Sequence, residues 1–201
     1  MTLTRRSILS AGLALPVLGM PSLALAMPAA DFAVKDTDGK VRTLAEFRGR
    51  IVVLEWLNRA CPYTQKHYHG NMQGLQVSAT RDGAVWLSVC SSARGQPGYW
   101  SDGAKARRWM EKNGSAATAL LLDADGSMGR AFGAKVTPHM YVIDKAGALA
   151  YKGAIDDMAS SKVDDIKRAR NLVAAALADV HAGRPVATPL TPAYGCGIKY
   201  G

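Results

Sequence analysis

Cys61 stands where two local patterns meet. The run Ile51-Val52-Val53-Leu54-Glu55-Trp56-Leu57 is apolar and rich in β-branched residues, and it reads as a buried strand. Asn58-Arg59-Ala60 follows, then Cys61 and Pro62, and the stretch from Tyr63 to Val77 reads as a helix. Proline suits the first helical position, because the amide it lacks would have no partner there. The thiol therefore meets the unpaired N–H groups of a helix start, which favour a thiolate and lower its pKa. The expectation is a sulfur that is ionised near neutral pH and reachable from solvent. Such a sulfur attacks S–S or O–O bonds.

The chain holds 3 cysteines, an odd number, so at least one thiol stays outside any internal bridge. Cys196 lies in Tyr194-Gly195-Cys196-Gly197-Ile198-Lys199-Tyr200, and its glycines let the backbone bend and approach another segment closely. Closing a long loop onto Cys61 is entropically cheap, since the cost grows only with the logarithm of length. A redox-active pair with Cys61, a static bridge pinning the tail, and an unpaired Cys196 are the three readings. Cys90 ends the apolar run Val85-Trp86-Leu87-Ser88-Val89 and reads as a small core residue, with pairing to Cys61 or Cys196 as the alternative.

His67, His69 and His139 raise the question of a metal. His67 and His69 are two apart on a helix and do not share a face, so no metal site is expected. His67 beside Cys61, aiding its ionisation, is a second reading. Asp123-Ala124-Asp125-Gly126 resembles half a calcium loop but lacks the closing Glu, and it reads as a turn. No phosphate loop, dinucleotide glycine pattern or Ser–His–Asp arrangement stands out, and no cofactor is expected.

The compartment follows from the N-terminus. Thr4-Arg5-Arg6-Ser7-Ile8-Leu9 is a twin-arginine pattern, an apolar stretch runs from Ile8 to Leu25, and Ala24-Leu25-Ala26 offers a cleavage site. Residues 1–26 are expected to be an export signal to the periplasm. Pro16, Gly19 and Pro21 argue against an uncleaved anchor. The remaining length suits one domain, residues 27–187, with a tail over 188–201. No second apolar run approaches the ~18 residues a membrane span needs. The net charge of +9 is spread over helix faces such as Lys105-Ala106-Arg107-Arg108, and no nucleic-acid partner is expected.

Along the chain, Phe32 to Lys40 reads as a strand closing on a turn, and Thr43 caps a helical turn with Glu46 three on. Ala84 to Val89 and Thr118 to Leu122 read as strands, Tyr99 to Lys112 and Ser127 to Phe132 as helices. Met140 to Ile143 and Leu149 to Lys152 form a hairpin over Asp144-Lys145-Ala146-Gly147. Val163 to His181 is the most periodic helix, with Ile166, Leu172, Val173, Ala176, Leu177 and Val180 on one face. Strands alternating with helices, then a hairpin, give a mixed sheet covered on both faces.

These features together resemble a thioredoxin-fold protein of the redoxin (alkyl-hydroperoxide-reductase/thiol-specific-antioxidant) family. The segment Asp36-Thr37-Asp38-Gly39-Lys40 to Leu44-Ala45-Glu46-Phe47-Arg48-Gly49, the strand ending in Cys61-Pro62, Val136-Thr137-Pro138, and the hairpin from Met140 carry the likeness, over about Phe32 to His181. The resemblance implies an α/β three-layer sandwich and a cis Pro138 facing Cys61. It also implies a groove at Thr137, Pro138, Asn58 and Pro62, where an extended substrate pairs beside the thiol. Glu55 would then be a buried acid that manages protons. The chain departs from the pattern in its chemistry. Cys61-Pro62-Tyr63-Thr64 carries Thr64 where a thioredoxin has its second cysteine. Asn58 and Leu54 stand where a peroxiredoxin has Thr or Ser and Pro, and Pro138 stands near the place of its Arg. Asn58 could still donate to a peroxide oxygen, with the Arg59 charge nearby.

The expected function is an exported thiol-dependent oxidoreductase: Cys61 attacks, Glu55 manages protons and Cys196 resolves. Its partners would be a thiol or disulfide protein or a small peroxide, with an external thiol reductant. The alternative is a non-catalytic thioredoxin-fold binder or a copper metallochaperone.

Overall fold

The structure, a computed structural model, describes residues 27–201. The export-signal expectation for residues 1–26 lies outside the described residues. A five-stranded mixed sheet forms the centre, in the order β5 (Ala119–Leu122), β4 (Val85–Cys90), β3 (Val52–Trp56), β7 (His139–Ile143), β8 (Leu149–Gly153). β3, β4 and β5 run parallel, while β7 is antiparallel to β3 and β8 to β7. Every residue of β3 and β4 is buried, as their continuous apolar runs require of parallel strands covered on both faces.

The alternation along β3 feeds two cores. Ile51, Val53 and Leu57 join Trp86, Met140 and Val142 beneath α2 (Asn71–Arg81), α3 (Gly103–Lys112) and α5 (Leu172–His181). Val52, Leu54 and Trp56 join Phe32, Val34, Phe47, Met128 and Phe132 beneath α4 (Ser127–Phe132) and the N-terminal hairpin of β1 (Ala33–Lys35) and β2 (Val41–Thr43). Each fully buried Leu, Val or Phe contributes about 1.5–3 kcal/mol. The three-layer α/β sandwich expected from the sequence is present. Among the described residues no helix is long and apolar enough to cross a membrane.

Two helices are shorter than their periodicity suggests. The single helix expected over Tyr63–Val77 is two, α1 (Pro62–His67) and α2, separated at Gly70, whose φ of 106° lies in the left-handed region that glycine adopts readily. The stretch Val163–His181 opens with a 3-10 turn, Val163–Lys167, and α5 starts only at Leu172. There the Asn171 side chain accepts the Ala174 amide at 2.9 Å and caps the helix. Leu172, Val173, Ala176 and Leu177 are buried; Ile166 belongs to neither core. Thr43 does cap its turn, accepting from the Glu46 amide at 3.3 Å.

The tail is part of the body. β9 (Cys196–Gly197) pairs antiparallel with β6 (Val136–Thr137), with Thr137 opposite Cys196 and Val136 opposite Gly197.

Candidate active site

Cys61 is the residue that precedes α1, with Pro62 at the first helical position, as expected. Its amide donates to the Asn58 carbonyl at 2.9 Å, and its own carbonyl accepts from Gln65 at 2.9 Å. Asn58 fixes this connection from below. Its side-chain oxygen accepts from Ala60 at 2.8 Å and its amide donates to the Pro97 carbonyl at 2.9 Å. These bonds occupy the Asn58 amide group within the loop. Arg59 lies over the Trp100 ring, 4.6 Å from its centroid.

The Thr137–Pro138 peptide bond is cis, and the Cys61 thiol donates to the Thr137 carbonyl oxygen at 3.1 Å. Cys196 reaches the same point from the tail, paired opposite Thr137, and each of the two thiols shifts the pKa of the other. Gly195 makes this possible, since a Cβ there would lie 2.0 Å from the Thr137 oxygen. The expectation of a solvent-reachable thiol at Cys61 is corrected here. Cys61 is 1 % exposed and covered by Thr137 and the docked tail, while Cys196 is partly exposed. The tail segment that carries Cys196 is a paired strand.

The two sulfurs differ electrostatically. Burial pushes the Cys61 pKa up, but the neighbouring Cys196 side chain, the Thr137 side chain and the Thr64 backbone amide pull it down. Their combined effect outweighs burial and leaves Cys61 below the ordinary thiol value. The Thr64 amide is the helix-start donor that the sequence pointed to. For Cys196, burial and then the bond to Cys61 push the pKa up to about 11. The pair thus divides into a more acidic sulfur, Cys61, and a less acidic one, Cys196. Thr64 itself is fully buried, and its hydroxyl has no hydrogen-bond partner.

Glu55 is 0 % exposed on β3. It is held by Trp86 Nε1 at 2.9 Å, Ser88 Oγ at 2.9 Å, Tyr68 Oη at 3.0 Å and Gln76 Nε2 at 3.1 Å. Burial raises its pKa, partly offset by these donors. Cys61 is not among its partners. Cys90 is a core residue, its Sγ 3.6 Å from the Gly98 carbonyl, and burial raises its pKa.

A buried polar cluster beside α1 was not read from the sequence. Lys66, 1 % exposed, places Nζ 3.3 Å from Asp156 Oδ2 and 3.2 Å from the Met158 carbonyl. His67 Nε2 lies 3.2 Å from Tyr194 Oη, and its Nδ1 2.7 Å from Asn71 Nδ2. Tyr194 also donates to Asp156. The cluster grips the tail two positions before Cys196. No local pattern signals it, because its members lie far apart in sequence; a lysine and a histidine on the inner side of a short helix were the only trace. The His67 role beside Cys61 gives way to this contact. His69 is exposed, and His139 contacts Tyr141. Among the described residues no group of three or more His, Cys, Asp or Glu is arranged to hold a metal ion.

Residues 25–152 match the AhpC/TSA family, and the chain belongs to it. Among solved structures it is similar to an uncharacterized conserved protein from Geobacillus kaustophilus, with 25 % identity, a TM-score of 0.73, and coverage of 92 % of this chain and 98 % of that one. A hypothetical protein from Sinorhizobium meliloti 1021 matches at 24 % identity and a TM-score of 0.71, over 90 % of this chain and 96 % of that one. The thioredoxin domain of a thiol-disulfide oxidoreductase from Bacteroides vulgatus shares the fold at 15 % identity and a TM-score of 0.52, over 73 % of this chain and 98 % of that one. A comparison with the curated proteins finds no match.

Proposed function

We propose that this protein is an exported, periplasmic thiol–disulfide oxidoreductase whose redox couple is Cys61 and Cys196. The observation that supports it is that Thr137, next to cis Pro138, has Cys61 Sγ 3.1 Å from its carbonyl oxygen and Cys196 paired opposite it. In the reduced state Cys61 is the more acidic of the two thiols and the one that ionises more readily. In the cycle it attacks a sulfur, and Cys196 is the second thiol of the couple. Oxidation joins the two sulfurs and releases two electrons and two protons to the substrate; reduction by an external thiol restores both thiols. Glu55, kept toward its protonated form by burial, serves as the internal proton store.

Disulfide exchange is favoured over peroxide reduction. The Asn58 amide is held by Pro97 and Ala60, Arg59 by Trp100, so neither is poised to bind a peroxide oxygen. The test is to give the reduced mature chain either glutathione disulfide or hydrogen peroxide and count the thiols left, with Cys61→Ala alongside. The proposal expects loss of two thiols with the disulfide, much slower loss with peroxide, and no paired loss in Cys61→Ala. A peroxide reaction as fast as the disulfide reaction assigns a peroxidase instead. A chain inert to both is a binder.

A further inference from the structure

Cys61 is 1 % exposed, and its cover is not a loose arm. On one side of Cys196, Tyr194 is fastened into the Lys66–His67–Asp156 cluster. On the other, Ile198 donates to the Lys135 carbonyl at 3.0 Å and the Lys199 carbonyl accepts from Ala93 at 2.8 Å. Tyr200 then donates to the Ala134 carbonyl at 2.9 Å, and Arg130 holds the Gly201 carbonyl at 2.7 Å. The backbone edge of Thr137 is taken by Cys196 itself. A partner approaching this face meets the partly exposed Cys196 before it meets Cys61.

We propose that Cys196 is the sulfur that exchanges with the partner, and that Cys61 acts only on Cys196 from beneath it. This rests on the couple argued above and reverses the order of the two cysteines expected from sequence. Starting from the oxidised couple, a small-molecule thiolate RS⁻ attacks Cys196 Sγ. The Cys196–SR bond forms, the Cys61–Cys196 bond breaks, and its electron pair leaves on Cys61. A second thiolate attacks the sulfur of R, giving RSSR, and the electron pair left on Cys196 takes up a proton. Two thiols have been oxidised to one disulfide and the protein couple reduced. In the other direction Cys196 Sγ attacks RSSR and passes its proton to the RS⁻ it releases; Cys61, once ionised, then attacks Cys196 Sγ and expels a second RS⁻. Cys61 suits this role because a leaving thiolate departs faster the lower its pKa, and Cys61, despite burial, is held below the ordinary thiol value while Cys196 is pushed above it. Tyr194 is then a positioning residue: it touches neither sulfur and holds the strand that carries one of them.

Two measurements test this on the mature chain. In the first, the oxidised wild-type protein is mixed with excess glutathione, quenched with acid at short times and mapped by peptide mass. The proposal expects glutathione on Cys196; glutathione on Cys61 overturns it. In the second, Cys196→Ser leaves Cys61 to react with iodoacetamide under a docked tail. The rate should fall about tenfold or more below that of an exposed thiolate, because reaction waits on local opening. Adding Tyr194→Phe should restore much of it. If Cys61 in Cys196→Ser reacts at the exposed-thiolate rate, the proposal fails while the couple stands. If the wild type forms no Cys61–Cys196 disulfide, the couple itself fails.

Discussion

Gly195 crosses Thr137 at a distance no other residue type could keep. A Cβ on Gly195 would sit 2.0 Å from the Thr137 carbonyl oxygen, the same oxygen that lies 3.1 Å from Cys61 Sγ. One carbonyl is thus shared between the tail above and the thiol below. The φ of Gly195, 138°, is also one that L side chains rarely adopt.

Gly195→Ala should therefore lift the tail. The neighbour it meets is backbone and cannot rotate aside, and the strained φ adds about 1–3 kcal/mol. The expected outcome is a folded protein in which alkylation of Cys61 speeds up about tenfold or more, since the opening that exposes it is easier. Alkylation rates of wild type and variant, read by mass on the Cys61 peptide, check this. Unchanged kinetics would mean the tail does not guard the thiol.

Thr64 offers a second, opposite case. Its hydroxyl is buried without a partner, and an unsatisfied buried hydroxyl costs about 1–3 kcal/mol. Thr64→Val keeps the shape and removes the group, so the reduced protein should become more stable by about 1 kcal/mol. Urea denaturation of the reduced form measures it. A loss of stability would show that the hydroxyl does find a partner.

Glu55 ties four side chains, from α2, β4 and the turn after α1, into one knot. Glu55→Ala leaves the Trp86 and Gln76 donors without an acceptor and opens a cavity, and should cost about 3–5 kcal/mol. Its pKa is raised in the folded state by burial. Its contribution to stability is therefore full below the unfolded carboxyl value and is lost as pH rises through the folded one. Glu55→Gln should flatten that part of the stability profile. If Glu55 is the proton store, the same variant should also move the pH profile of disulfide exchange, a change that a purely structural acid would not produce.

His139 is the acid-side counterpart. Burial, with help from Lys152 and Lys135, lowers its pKa from 6.5 to about 4. The unfolded chain protonates first, so its contribution is present above 6.5 and is lost as pH falls toward about 4. Between pH 7 and pH 5 the loss is on the order of 2 kcal/mol. His139→Asn keeps an acceptor near the Nδ1 position and cannot charge. The gap between its stability and that of wild type should shift by that amount over the interval, as read by urea midpoints at both pH values.

The strands and the place of Cys61 at a helix start were legible in the sequence because their causes are local. A β-branched run, a proline after Cys61 and a Thr137-Pro138 pair each act within a few residues. The helix breaks at Gly70 and Asn171 were less visible, because the hydrophobic period continues through both. The cover on Cys61 was not legible at all. It depends on Gly195 meeting Thr137 and on Tyr194 reaching Lys66, His67 and Asp156, contacts between segments far apart in the chain. The odd cysteine could be set aside only once Cys90 was seen inside the core.

The central claim is that Cys61 and Cys196 form the redox couple. The direct measurement is to equilibrate the mature chain in glutathione buffers of graded ratio and map its disulfides by mass after acid trapping. The account predicts one reversible Cys61–Cys196 bridge whose population follows the buffer, with Cys90 remaining a free thiol throughout. A bridge from Cys61 to Cys90, or two unbridged thiols across the whole range, would contradict it.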